Sequence, residues 1–237
     1  MSSDRIKLIR QEEKLYHDYC YDNYKLFEQG SWLYKPVKIV LDLISYFEEK
    51  DTIKVLDLGC GVGRNSIPIA QKLKVDSKVV CVDLLNTAIE KLRQYSNALN
   101  VQQIIVPYKE DIADFVIQPN EYDYIVAVSS LEHVESRDTL EKVLLNMRNG
   151  TKVNGVNCII INSEVEEVDL ETGAKLEAYM EVNISSAETI STLRQVYNGW
   201  EELLVLPKSL EYQITRKGKP VLLKTTAITF AVQKKLI

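Results

Sequence analysis

VLDLGCGVGRNSIPIA, residues Val55 to Ala70, sets a buried strand against a helix with three glycines between them. Val55, Leu56 and Leu58 supply the strand, while Ile67, Ile69, Ala70 and Leu73 form the apolar stripe of the helix. Glycine lets the backbone take φ > 0 and lets a ligand approach where a Cβ would block it. A loop ending at a helix N-terminus also offers unpaired N–H groups and a partial positive charge. Gly59, Gly61 and Gly63 therefore predict a nucleotide-type binding turn.

Their spacing narrows the ligand. A dinucleotide turn reads G-x-G-x-x-G, because its pyrophosphate sits against the helix N-terminus. Here the order is G-x-G-x-G, and Asp57 stands two residues before the first glycine. An anion at this loop would meet the Asp57 carboxylate, so a ligand with a cationic head is favoured. S-adenosylmethionine (SAM) has one, an amino acid joined to a sulfonium. Cys60, Arg64 and Asn65 complete the loop as candidate contacts, with the Arg64 guanidinium placed to pair with the methionine carboxylate or with Asp57.

A second acid lies downstream. Lys78 to Leu84 (KVVCVDL) reads as a short apolar strand whose tip carries Asp83, twenty positions after Gly63, with Leu84 beside it. A carboxylate there accepts charge-assisted hydrogen bonds from ribose hydroxyls. SAM and NAD both carry that ribose, so Asp83 supports an adenosine ligand without choosing between them. After a strand at Ile104–Val106, Asp111 suits an adenine amino group and Ile112 its ring face.

These residues resemble the class I SAM-dependent methyltransferases, over Ile53 to Ile161. GRNS at Gly63 to Ser66, together with the tail RQVYNGWEEL (Arg194 to Leu203), a charged turn and a final strand, resembles the tellurite-resistance TehB-type branch. The resemblance implies a Rossmann-like methyltransferase fold, SAM as cofactor and methyl transfer as the activity. Better-known TehB-type chains carry a His-Arg pair before the terminal hairpin turn. Tyr212 and Gln213 stand in those places here, which puts tellurite or selenite as acceptor in question.

The wider pattern fits an α/β fold: a doubly wound, mostly parallel seven-stranded sheet with an antiparallel C-terminal hairpin. Strands are expected at Ile53–Leu58, Lys78–Leu84, Ile104–Val106, Tyr122–Val128 and Asn157–Ile161. Helices are expected at Gly63–Leu73, Asn86–Ala98 and Arg137–Met147, and this alternation signals a parallel sheet covered on both faces. Ligands of such sheets bind beyond the strand C-termini, where the glycine loop, Asp83, Asp111 and Ser129 all fall. Ahead of this unit, residues 1–50 form a helical cap, with a tyrosine-rich helix at Ile6–Phe27 and another at Val37–Glu49. Residues 51–237 form the SAM-binding domain. Within it, residues 163–184 are strongly acidic and read equally as a solvated hairpin or as a lid over the site. Ser185-x-x-Glu188 is a capping box that starts a helix to Tyr197. Leu210–Thr215 and Val221–Val232, around Arg216-Lys217-Gly218-Lys219, form the terminal hairpin.

Composition bounds the partners. The 237 residues carry a net charge of −5 and are 46% hydrophobic, enough for one sizeable core. The basic residues are dispersed, and the fourth strand ends Ser129-Ser130 instead of the Asn-Pro-Pro-Tyr tip of adenine methylases. A nucleic-acid substrate is therefore disfavoured. No apolar run approaches the roughly twenty residues of a membrane span, and no secretory signal is visible, so the default expectation is a cytoplasmic protein. The four cysteines are scattered with no C-x-x-C pair, and no metal site is expected. The sequence is silent on oligomeric state.

Methyl transfer from a sulfonium needs positioning and water exclusion more than a strong base. The expected acceptor is a small molecule, with a thiol or a chalcogen oxyanion as candidates. Glu132-His133 follows the fourth strand at the height of the methyl group, and His133 is the candidate base or substrate contact. His17 sits among tyrosines and reads as a structural histidine. Tyr16, Tyr19, Tyr24 and Trp32 either fold over the site or pack as an aromatic face. Two rivals remain: a SAM-binding regulator without turnover, and an NAD-dependent oxidoreductase, which the glycine spacing argues against.

Overall fold

Every residue of the first core strand beyond its first is buried, because β1 (Lys54–Leu58) runs through the middle of the sheet. The structure is a computed structural model that describes residues 3–216 and 218–236. Around β1 lie β2 (Lys78–Asp83), β3 (Ile105–Lys109), β4 (Tyr122–Val128) and β5 (Thr151–Asp169), all parallel in the order β3-β2-β1-β4-β5. β8 (Lys219–Gln233) then pairs antiparallel with β5, and β7 (Glu201–Arg216) closes the edge against β8. These seven form one continuous path; an eighth, the two-residue β6 (Lys175–Leu176), hangs off β5.

Side chains alternate faces along each strand, so one sheet builds two cores. Val55, Val79, Cys81, Tyr124, Val126 and Cys158 face one layer, closed by α3 (Ser66–Lys72), α4 (Asn86–Ala98) and the N-terminal segment. Leu56, Leu58, Val80, Ile125, Ala127 and Ile159 face the other, closed by α5 (Arg137–Gly150) and α6 (Ser186–Val196). This is the doubly wound arrangement that the alternating pattern implies.

Element bounds shift where tertiary contacts override local pattern. The Ile6–Phe27 expectation becomes α1, Ser3–Asn23, and the Val37–Glu49 helix splits into α2 (Lys38–Asp42) followed by a 3-10 turn at Leu43–Phe47. The helix expected from Gly63 starts at Ser66, because the loop and Asn65 still belong to the turn. The third strand runs to Lys109 since it follows β2 to its tip at Asp83. The largest change is at the C-terminal side. The fifth strand, expected at Asn157–Ile161, is 19 residues long, and the hairpin strands grow to match it. The first seven residues of the acidic segment therefore lie in the sheet: β5 bends at a bulge between Ser163 and Glu166 and continues to Asp169. Of the hairpin turn, Lys217 lies outside the described residues.

At the opposite end from the strand C-termini, Asp123 at the start of β4 joins three groups. It accepts from Lys50 Nζ (2.6 Å), Lys152 Nζ (2.7 Å) and the Lys54 backbone N–H (2.8 Å). Burial alone would raise its pKa, but the two lysines and the amide hold it below the usual carboxylate range. Asp123→Ala should lower stability by about 1–3 kcal/mol in urea unfolding, since it strands an amide and two ammonium groups.

Candidate functional site

The chain leaves β1 at Leu58 and turns sharply because Gly59 and Cys60 both donate to Val82 O, at 2.8 and 3.0 Å. Gly59, Gly61 and Gly63 all have positive φ, at 76°, 54° and 94°. They do separate jobs. A Cβ on Gly59 would lie 2.3 Å from Ser130 Cβ, so this glycine lets the loop pack on the tip of β4. One on Gly63 would strike Leu92 and Ile67, so that glycine lets α3 close against α4. At Gly61 a Cβ would come within 3.1 Å of the Tyr21 hydroxyl, which stands over this part of the loop.

Asp83 organises the loop. Its Oδ2 accepts from Gly61 N–H at 2.8 Å and its Oδ1 from Leu85 N–H at 2.9 Å. Burial raises its pKa, and these two amides oppose the rise. Each oxygen keeps a further lone pair for a ribose hydroxyl. Leu84 beside it is exposed and offers an apolar face at the same height. Asp57 lies deeper, almost fully buried, and accepts from the Ser66 hydroxyl. Burial lifts Asp57 to about 6, against the hydrogen bond from Ser66.

Other expected contacts sit elsewhere than on the loop's open side. Asn65 Oδ1 accepts from Val37 N–H at 2.9 Å, and Arg64 donates to Trp32 O at 3.0 Å with its guanidinium over the Trp32 ring. Both clamp the N-terminal segment to the loop. The Cys60 thiol is buried and free. Asp111 closes its own turn through Ala113 N–H at 3.0 Å and pairs with Arg10 Nη2 at 3.1 Å. Ile112 packs on the second core. Ser129 is exposed with φ 51°, while its neighbour Ser130 is buried and donates to Leu58 O at 2.7 Å.

What the sequence reading missed is the ionic inward face of α1. Leu8, Leu15 and Tyr19 on this helix point outward, while Arg10, Glu13, His17 and Tyr21 point inward. A helix that buries its ionisable face is the informative exception to ordinary amphipathicity. Five contacts lay it across the strand C-termini. Arg5 Nε meets Glu177 (2.8 Å), Arg10 meets Asp111, and Arg216 meets Glu13 (2.9 Å). Thr87 donates to Asp18 (2.6 Å) and Lys91 meets Asp22 (3.2 Å). Tyr24 packs on the first core beside Tyr19, so neither ring faces the loop.

The acidic segment supplies the facing wall. Glu167 is buried against Arg216 (3.1 Å), and Glu181 is buried against His133 Nδ1 (3.1 Å). Burial would push the His133 imidazole down. The Glu181 hydrogen bond and the charges of Glu13, Glu132 and Glu181 outweigh it and raise it to about 9. Glu132 is fully buried, with Oε1 accepting from Asn162 N–H and Nδ2 (3.1 and 2.6 Å) and Oε2 without a partner. Arg10 Nε and His17 Nδ1 are likewise buried without a hydrogen-bond partner, although Arg10 Nε lies 4.0 Å from the Glu181 carboxylate. Orphaned polar atoms of this kind normally find a ligand or water. An adenosine ribose, an amino-acid head and a small acceptor fit a glycine cradle, a twin-acceptor carboxylate and these three groups. Among the described residues, no group of three His, Cys, Asp or Glu side chains is placed to hold a metal ion.

Residues 55–155 match the methyltransferase domain family. Among curated relatives, the ubiquinone biosynthesis O-methyltransferase of Rickettsia canadensis is 25% identical over 51% of this chain and 48% of its own length. A probable S-adenosyl-L-methionine-dependent methyltransferase, TehB of Haemophilus influenzae, is 26% identical over 72% of this chain and 54% of its own. The chain thus spans about half the length of the curated relatives it matches. The crystal structure of TehB from Haemophilus influenzae superposes with a TM-score of 0.63 at 24% identity, covering 92% of this chain and 67% of that one. The chain resembles the class I SAM-dependent methyltransferases, with TehB-type proteins among its relatives.

Two outcomes follow from this geometry. Gly59→Ala should cost about 2–4 kcal/mol in chemical unfolding, because it combines left-handed strain with a backbone-level clash at Ser130. The His133–Glu181 pair should stabilise the fold fully below about pH 6.5 and lose that contribution as pH rises through about 9. The urea midpoint difference between the native chain and His133→Gln should therefore shrink between pH 6 and pH 10.

Proposed function

We propose that this chain transfers a methyl group from SAM to a small-molecule acceptor. The observation that carries the reading is Asp83 holding the Gly61 amide, which folds a glycine cradle around the position of a ribose. SAM would supply an activated methyl on a sulfonium, and the chain's task is to orient and to dry the site. Asp83 would take the ribose hydroxyls, Leu84 the adenine face, and the loop from Gly59 to Gly63 the methionine end. Asp57, a carboxyl buried beneath that loop, favours a cationic ligand over a pyrophosphate. Alignment of this type is worth about 7–11 kcal/mol of barrier. Residues 1–50 would act as the cap, with α1 excluding water, and the wall at residues 163–184 as its counterpart.

Tyr212 and Gln213 lie exposed on the edge strand β7 in place of the TehB-type His-Arg pair, which counts against a chalcogen oxyanion as acceptor. A small organic acceptor entering between α1 and the His133–Glu181 wall suits the geometry better, and the O-methyltransferase relatives point the same way. The acidic net charge argues against nucleic acid as partner. Among the described residues no helix is long and apolar enough to cross a membrane, and we place the protein in the cytoplasm.

Calorimetric titration tests the reading. SAM and S-adenosylhomocysteine should bind saturably, and Asp83→Ala should weaken both by about 10- to 100-fold, as expected for charge-assisted hydrogen bonds. NAD should show no saturable binding at millimolar concentration. NAD uptake with no SAM binding would overturn the proposal, and SAM binding without transfer to any acceptor class would mark a regulator.

A further inference from the structure

The Tyr21 ring occupies the approach to Gly61. Because a Cβ on Gly61 would lie 3.1 Å from the Tyr21 hydroxyl, a cofactor atom packed against that Cα needs the space the hydroxyl holds. Tyr21 is 4% exposed, and its ring sits between His17 and Trp32 at centroid distances of 5.7 and 6.1 Å. Burial, and after it the Asp83 carboxylate, raise the pKa of its hydroxyl, so the phenol stands uncharged near the acid that would take the ribose. We propose that α1 is an autoinhibitory plug: with the helix seated, Tyr21 stands in the cofactor's place at Gly61, and SAM enters only when α1 lifts. This rests on the methyltransferase reading above and adds to it the control of cofactor entry.

The two parts of the N-terminal segment are attached differently. Leu26 is buried in the first core, and its N–H donates to the Tyr95 hydroxyl at 3.3 Å. Beyond it, Trp32 and Val37 are held to the glycine loop through Arg64 and Asn65. α1 ends at Asn23, so the link at Tyr24 and Lys25 joins a fixed segment to the helix. Along α1 itself the buried apolar side chains are Ile9, Cys20 and Tyr21, while Leu8, Leu15 and Tyr19 face outward. The rest of the seat is polar and strung along the helix: Arg5 on Glu177, Arg10 on Asp111, Glu13 on Arg216, Asp18 on Thr87 and Asp22 on Lys91. The outermost two of these contacts use carboxylates that are 77% and 72% exposed, Glu177 and Asp22. Ion pairs so open to water are weak and screened by salt, whereas the apolar anchor at Leu26 is not. Salt therefore loosens α1 and leaves the clamped segment in place.

This arrangement reverses the usual salt dependence. SAM carries a cationic sulfonium and the chain a net charge of −5, so plain electrostatic attraction would weaken as salt is added and slow association. A plug held by ion pairs acts in the opposite sense. Salt raises the fraction of molecules with α1 lifted, and the apparent affinity for the cofactor rises with that fraction.

The test is stopped-flow fluorescence of the full chain mixed with SAM, with Trp32 beside the Tyr21 ring as reporter, backed by calorimetry. From about 0.05 to 0.5 M NaCl the association rate should rise by about 3- to 10-fold. Tyr21→Phe removes the hydroxyl alone; it should tighten SAM and S-adenosylhomocysteine by about the same factor and flatten the salt response. Asp22→Asn combined with Glu177→Gln loosens both ends of α1, so it should speed association at low salt. With no cofactor present, the same double variant should show faster hydrogen exchange in α1 and unchanged exchange in α4. Association that slows with salt in the native chain, or variants that bind at the native rate and affinity, would overturn the inference. So would weaker SAM binding by Tyr21→Phe, which would make Tyr21 a cofactor contact instead of a plug. A chain that binds SAM in none of these forms would instead sink the underlying methyltransferase reading.

Discussion

Asp83 divides its carboxylate between two backbone amides, Gly61 on one oxygen and Leu85 on the other, and the site depends on that division. The first bond fixes the backbone of the glycine loop at Gly61. The second sets the entry into α4, against which Gly63 packs α3. Together with the turn on Val82 and the clamps through Arg64 and Asn65, they hold the loop in one conformation. The same carboxylate is the chemically natural partner of a ribose diol. One group therefore links loop geometry to ligand choice.

A second constraint comes from α1, whose buried face is ionic. Arg10, Glu13 and His17 would be costly to bury alone, and each is matched in part by Asp111, Arg216 or the aromatic wall. Such a face contributes little net stability compared with an apolar one. It leaves Nδ1 of His17 and Oε2 of Glu132 buried without a hydrogen-bond partner beneath the helix, and Nε of Arg10 facing the Glu181 carboxylate at 4.0 Å.

Much of this was legible in the sequence. β1, its glycines and Asp83 announce themselves because local backbone demands and ligand chemistry coincide there. α4 at Asn86–Ala98 and β4 at Tyr122–Val128 follow from periodicity alone. The true length of β5 was not legible, since Glu167 and Asp169 occupy inward positions of an alternating strand and read as a solvated charge run. Their burial becomes sensible only with Arg216, 49 residues further on, which no local pattern connects to Glu167. Asn65 and Arg64 stand beside the loop as the sequence places them, and their bonds to Val37 and Trp32, which no local pattern announces, hold the N-terminal segment there.

The most direct measurement is a crystal structure of the chain with SAM soaked or co-crystallised. The account predicts both ribose hydroxyls on Asp83, the methionine end along Gly59 to Gly63, and the methyl group pointing under α1 toward the space between Tyr21 and His133. A ribose bound away from Asp83, or a sulfonium methyl facing solvent on the far side of the loop, would contradict it.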